Sequence, residues 1–68
     1  MPIKPEQLIR ALMREGCRKK GKKGSHQKMY NPATKQMSIV PMHKGQDIGD
    51  VMWRDIRRQL GLPDKPVK

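Results

Sequence analysis

The sequence predicts an α+β fold: a helix, three antiparallel strands and a second helix, with both helices packed on one face of a three-stranded sheet. Three observations predict it. Apolar residues recur at helical spacing near both ends of the chain, over about 5–15 and 47–60. Over 17–42 that spacing is lost, and short segments alternate with turn residues. Charge divides along the same lines, because positions 16–46 hold eight Lys or Arg and no Asp or Glu. Two amphipathic helices on one side of a small sheet leave its other side open.

At 68 residues the chain is read as one domain, 1–68, with an ordered core over about 5–62 and a frayed tail at 63–68. Hydrophobic residues make up 34% and Phe is absent, so the core is thin. A core of this size rarely supplies more than roughly 3 to 5 kcal/mol. The single cysteine rules out an internal disulfide, and Cys17, His26 and His43 are too few and too widely spaced for a structural zinc site. Neither staple being available, a partner protein is expected to supply part of the stability.

In the first helix Leu8, Ile9, Leu12 and Met13 share one face. Pro5 suits a first helical position, Glu6 places negative charge in the first turn, and Gly16 stops the helix. The strands are read as 17–20, 25–30 and 36–41, separated by turns at 21–24 and 31–34. In the second strand, alternation puts His26, Lys28 and Tyr30 on one face and Gln27 and Met29 on the other. In the third, Met37 and Ile39 oppose Ser38 and Val40. Apolarity assigns Met29, Met37 and Ile39 to the core and leaves His26 and Lys28 facing solvent. The second helix is read as starting after Gly45 under an Asp47 or Asp50 cap. Its apolar stripe is Met52, Ile56 and Leu60, flanked by Ile48 and Trp53, with Arg54, Arg57 and Arg58 on the other sides. Gly61 and Pro63 end it. This order of elements resembles the double-stranded RNA-binding domain.

The formal charge of +10, from 16 Lys and Arg against six Asp and Glu, points to a polyanionic partner, either nucleic acid or an anionic membrane surface. The sequence has no apolar run approaching the ~18 residues of a membrane span. Its start, Met1-Pro2-Ile3-Lys4-Pro5, is unlike a secretory signal, so the expected location is the cytoplasm and no membrane partner is expected. With the acids confined to the helical segments and the tail, the positive charge falls on the sheet and its loops, where it can follow a phosphate backbone.

His26, inside Gly24-Ser25-His26-Gln27-Lys28-Met29-Tyr30, has two readings: a phosphate contact, or a base acting on RNA, whose ribose 2′-OH is a nucleophile already beside the phosphorus it attacks. Arg18, Lys19, Lys20, Lys22, Lys23, Ser25 and Lys28 are the candidate RNA contacts, with Lys22, Lys23 and Lys28 placed to offset phosphoryl charge. The basic region has no carboxylate cluster, so no metal or other cofactor is expected. Other motifs carry less. Gly21-Lys22-Lys23-Gly24-Ser25 lacks the spacing of a phosphate loop, and Ser25 and His26 point to opposite faces of a strand. Cys17 reads as a small core residue and Trp53 as packing. His43 is either a second RNA contact or a loop residue; the loop is the favoured reading, with a role in partner binding open, and water, a lysine or His43 is left open as the proton donor to the leaving oxygen.

Taken together, the helix closed by Gly16, the basic first strand, Gly24-Ser25-His26, Val40-Pro41-Met42-His43 and the closing Ile56-Arg57-Arg58-Gln59-Leu60-Gly61-Leu62 resemble the HicA family of bacterial and archaeal toxins. The resemblance runs from about Glu6 to Leu62. It implies a double-stranded RNA-binding-like fold, endoribonuclease activity on messenger RNA, inhibition by a cognate HicB-type antitoxin covering the basic face, and a catalytic histidine at His26. The chain departs from the family pattern at Val51-Met52-Trp53, where Gly-Thr-Leu is frequent, and at Cys17, where a large residue is frequent; both positions concern packing or the partner surface. The alternatives are a non-catalytic RNA-binding module of the same fold and a structural basic protein.

Overall fold

A computed structural model of the chain describes residues 2–43 and 45–63; the tail expected to fray lies, beyond Pro63, outside the described residues. Helix α1 (Pro5–Arg14) starts with Pro5, which has no N–H to leave unpaired, while the Lys4 N–H donates to Gln7 Oε1 at 3.3 Å. It stops at Gly16, whose φ of 98° suits glycine, and the Cys17 N–H closes the end on the Leu12 carbonyl at 3.0 Å. Leu8, Ile9, Ala11 and Leu12 are buried, whereas Met13, expected with them, is half-exposed. The buried arc is centred on Leu8 and Leu12, and Ala11 lies closer to it than Met13 does.

Strands β1 (Arg18–Lys23), β2 (His26–Asn31) and β3 (Gln36–Pro41) form one antiparallel sheet in the order β1-β2-β3. Strand β1 runs past its expected end at position 20. Gly21, expected in a turn, lies within the strand at φ 129° where the register shifts, so Lys20 bulges out and the strand continues to Lys23. The turn shrinks to Gly24-Ser25, with Gly24 at φ 57°. All six residues of β1 are exposed, so this edge projects beyond the cover of the helices.

The facing of β3 reverses the expectation. Lys28 pairs with Ile39 and Tyr30 with Met37. Directly paired residues point the same way, so Met37 and Ile39 share the open face with His26, Lys28 and Tyr30 and are 48% and 50% exposed. Ser38 and Val40 go inward instead. The cause is the loop 32–35: closing it with Asn31 opposite Gln36 sets Ser38 against Met29. Burial of the Ser38 hydroxyl is compensated by its hydrogen bond to Gln59 Oε1 at 2.6 Å.

Helix α2 (Asp50–Gln59) has Gly49 as its N-cap with no side-chain cap bond, so neither Asp47 nor Asp50 caps it; Asp50 lies in the first turn, where its charge still favours the helix dipole. The buried arc is Trp53, Ile56, Arg57 and Leu60 at i, i+3, i+4 and i+7, and Met52 is 48% exposed. Arg57, expected on an outer side, is 1% exposed. Its guanidinium forms a bidentate ion pair with Glu15 at the end of α1, and Nε and Nη2 donate to the Pro63 carbonyl at 3.2 and 2.8 Å. The end of α2 is held by the β2–β3 turn, where Asn31 Nδ2 and Thr34 Oγ1 donate to the Leu60 carbonyl at 2.7 and 2.9 Å. Gly61 follows at φ 72°, and a Cβ there would lie 2.6 Å from Thr34 Cγ2.

The core joins Leu8 and Leu12 of α1, Met29 and Val40 of the sheet, and Trp53, Ile56 and Leu60 of α2, with Cys17 and Ile48 between them. A single antiparallel bridge, Ile3 with Ile48, ties the segment before α1 to the segment before α2 through hydrogen bonds of 2.9 and 2.6 Å.

Arg57→Ala leaves Glu15 facing a cavity and removes the donors to Pro63. Because the Glu15 side chain is 24% exposed, the loss falls below that of a fully buried pair, at about 2 to 3 kcal/mol. Urea unfolding followed by circular dichroism will show it as a lower midpoint. Burial, then the neighbouring Glu15 carboxylate, pushes the Cys17 thiol up, against a smaller opposing pull from Arg57. Cys17 in the folded chain is therefore expected to resist iodoacetamide at pH 8 and to be alkylated at the rate of a free thiol once urea unfolds it.

Candidate nucleic-acid interface and active site

The alternation of β2 and its register with β1 build the open face. His26, first residue of β2, is paired with Lys23, the last residue of β1, and Lys28 follows two positions along. Arg18, paired with Tyr30, lies on the same face, and the bulged Lys20 reaches over the Tyr30 ring with Nζ 5.2 Å from its centroid. Arg18, Lys20, Lys23 and Lys28 thus form one cationic track running up to His26 across β1 and β2. Lys19 and Lys22 pair with the inward residues Met29 and Gln27 and are solvent-exposed on the opposite side of the projecting strand. Ser25, second residue of the turn, is half-buried, and its carbonyl accepts the Met42 N–H at 2.6 Å.

The bulge that gives β1 this geometry has a support in the core. Gln27 is buried, and its amide Nε2 donates to the Gly21 carbonyl at 2.8 Å and to the Lys28 carbonyl at 3.1 Å. Sequence reading placed Gln27 inward but missed this role. The signal was a polar residue at an inward strand position; its amide reaches the Gly21 carbonyl one step along from its own register partner, Lys22.

On its other side His26 borders a cleft of about 840 Å³, walled by Ile39 and Pro41 of β3 and by Asp50, Val51, Met52 and Asp55 of α2. Val51 is 76% exposed, and Met52 and Ile39 about half. His26 therefore stands at a border: cations toward β1, and an apolar groove with two carboxylates toward α2. The second histidine is close as well. His26 and His43 lie with ring centroids 5.9 Å apart in an edge-to-face arrangement, with interplanar angle 82°. His43 lies in a loop, as expected; the pairing of His26 with Pro41, two residues before His43, is what brings the two rings together. Trp53 packs in the core, with Nε1 donating to Asp50 Oδ1 at 3.2 Å, and is not a base-stacking platform.

Among the described residues no helix is long and apolar enough to cross a membrane. The family model for the HicA toxin of bacterial toxin–antitoxin systems matches residues 5–62 of the chain. Among curated proteins none matches.

Gln27→Met keeps the length of the side chain and removes both donors, leaving the Gly21 carbonyl without its side-chain partner. A loss of about 1 kcal/mol is expected, together with faster amide exchange across β1 than across β3 when the two are compared by NMR.

Proposed function

Because the chain belongs to the HicA toxin family of bacterial toxin–antitoxin systems, with a cognate antitoxin as partner, we propose that it is an endoribonuclease that cuts messenger RNA in the cytoplasm, arresting translation and growth, with His26 as the catalytic base. One observation carries this reading: His26 is exposed at the end of a track of four cations on the uncovered face of the sheet. RNA phosphates laid along Arg18, Lys20, Lys23 and Lys28 would bring one ribose to the imidazole.

Neutral His26 takes the proton of a 2′-OH, and the oxygen attacks the adjacent phosphorus. The P–O5′ bond breaks, leaving a 2′,3′-cyclic phosphate on one product and a 5′-OH on the other. Lys23, across from His26, and Lys28 beside it offset the charge that grows on the non-bridging oxygens; preorganised cations of this kind act on charge present only in the transition state. The chemistry as written uses side chains alone. The antitoxin, of the HicB type, covers the cationic track and His26 together. The exposed apolar residues Ile39, Val51 and Met52 beside His26 support a protein partner at this place, since apolar surface gains more from protein than from phosphate.

His26→Ala is expected to retain RNA binding and to lose cleavage by about 10² to 10⁴-fold. A substrate with 2′-deoxyribose at the cut site should survive wild type. Undiminished cleavage by the variant sinks the assignment; binding without any cleavage by wild type leaves an RNA-binding module. In cells, wild type should arrest growth and His26→Ala should not. Four phosphate contacts predict a log K against log salt slope of about −3 on single-stranded RNA, and Lys20→Ala should flatten it by about 0.7.

A further inference from the structure

We infer that His43 is the general acid that protonates the leaving 5′ oxygen, making His26 and His43 a two-histidine catalytic pair. The inference rests on the ribonuclease reading above and supplies what that reading lacks, a proton donor at the second oxygen.

The geometry brings the two rings to one place from separate segments. Pro41, the last residue of β3, is paired with His26, and the ladder continues one step further through the Met42 N–H on the Ser25 carbonyl at 2.6 Å. His43 follows immediately, and its ring meets that of His26 with centroids 5.9 Å apart. At that separation a single phosphodiester can be reached by both imidazoles, one at the attacking oxygen and one at the leaving oxygen. The edge-to-face arrangement aims the rings along different directions, as in-line displacement at phosphorus requires of groups serving opposite oxygens.

The loop bearing His43 is held at both ends. Beyond His43 its carbonyl accepts the Gln46 N–H at 3.2 Å, and two residues further the buried Ile48 is locked to Ile3 by the two hydrogen bonds of their bridge. A backbone anchored in this way holds the attachment point of the exposed His43 ring beside His26, which narrows the positions the ring has to search when substrate arrives. The lysines are weaker candidates for the donor. Lys23 and Lys28 lie on the cationic track and are engaged with the phosphate, and an ammonium that gives up its proton also gives up the charge that stabilises the transition state.

The proton balance closes. Neutral His26 accepts the 2′-OH proton as the O2′–P bond forms, and protonated His43 donates to O5′ as the P–O5′ bond breaks. Each ring ends in the other's starting state, so a return of one proton through solvent resets the pair.

Substrate chemistry tests this directly. A short RNA containing a mapped cut site is made with oxygen, or with sulfur in place of the bridging 5′ oxygen at that linkage. A thiolate leaves without protonation, because a thiol is a far stronger acid than an alcohol. On the oxygen substrate His43→Ala is expected to fall by about 10² to 10⁴-fold. On the sulfur substrate it should cleave within a few-fold of wild type, while His26→Ala stays slow on both. His43→Gln, closer in shape, is run alongside with thermal melts so that a folding defect is recognised; a folded variant slow on both substrates overturns the inference, as does full activity of His43→Ala on oxygen. Failure of the underlying reading looks different: wild type cleaves neither substrate, or His26→Ala cleaves as well as wild type.

Discussion

The buried contact between Arg57 and Glu15 is the constraint on which the rest of this small fold depends. A guanidinium taken out of water is costly, and it is tolerated only when its donors are used. Here they are: the planar fork meets the Glu15 carboxylate with two nitrogens and the Pro63 carbonyl with Nε and Nη2. The group sits where α1 ends, where α2 makes its last turn and where the chain leaves α2, so one side chain fixes three segments. A core with a single cysteine and no Phe gains from this a cross-link made of charge and hydrogen bonds. Helix α2 is tied a second time by the β2–β3 turn, through Asn31 and Thr34 on the Leu60 carbonyl. Both ties act on the same end of the helix, and that helix supplies one wall of the cleft beside His26.

The elements were legible in the sequence because each is marked locally. Pro5 and Gly16 bracket α1, Gly61 and Pro63 close α2, and alternation along β2 put His26 and Lys28 on the solvent side. What escaped was set by pairing between distant positions. Apolarity favoured Met37 and Ile39 as core residues, but the length of the 32–35 loop decided the register and turned Ser38 and Val40 inward. Arg57 was placed outside because it carries a charge, although it falls at i+4 from Trp53 and at i−3 from Leu60, within the apolar arc; its acid partner is 42 positions away and invisible to any local window. The same blindness applied to His43. Its nearness to His26 comes from β2 pairing with β3, and no local pattern announces it.

Two surfaces of different character meet at His26. Toward β1 the face is a ribbon of cations suited to a phosphate backbone, and toward α2 it is apolar with Asp50 and Asp55 at the side. On the function proposed above, this division would let His26 face a nucleic-acid substrate on one side and a protein partner on the other without the two needing identical contacts. Membership in a toxin–antitoxin family makes the division intelligible. Under that proposal, an inhibitor engaging the apolar side would reach over His26 while gaining energy from contacts that an RNA chain on the cationic side would not use.

The projecting edge strand has a second consequence, concerning self-association. An open strand edge is a template on which another chain can lay its own backbone, and proteins guard such edges with lysines and bulges. Strand β1 carries five cations in six positions and a bulge at its centre. A second copy approaching this edge meets like charge along its length and a backbone whose ladder is interrupted. The cations proposed to hold RNA therefore also disfavour edge-to-edge pairing between copies of the free protein. Neutralising several of them together would change colloidal behaviour along with nucleic-acid affinity, so single substitutions read the interface more cleanly than a charge-stripped strand.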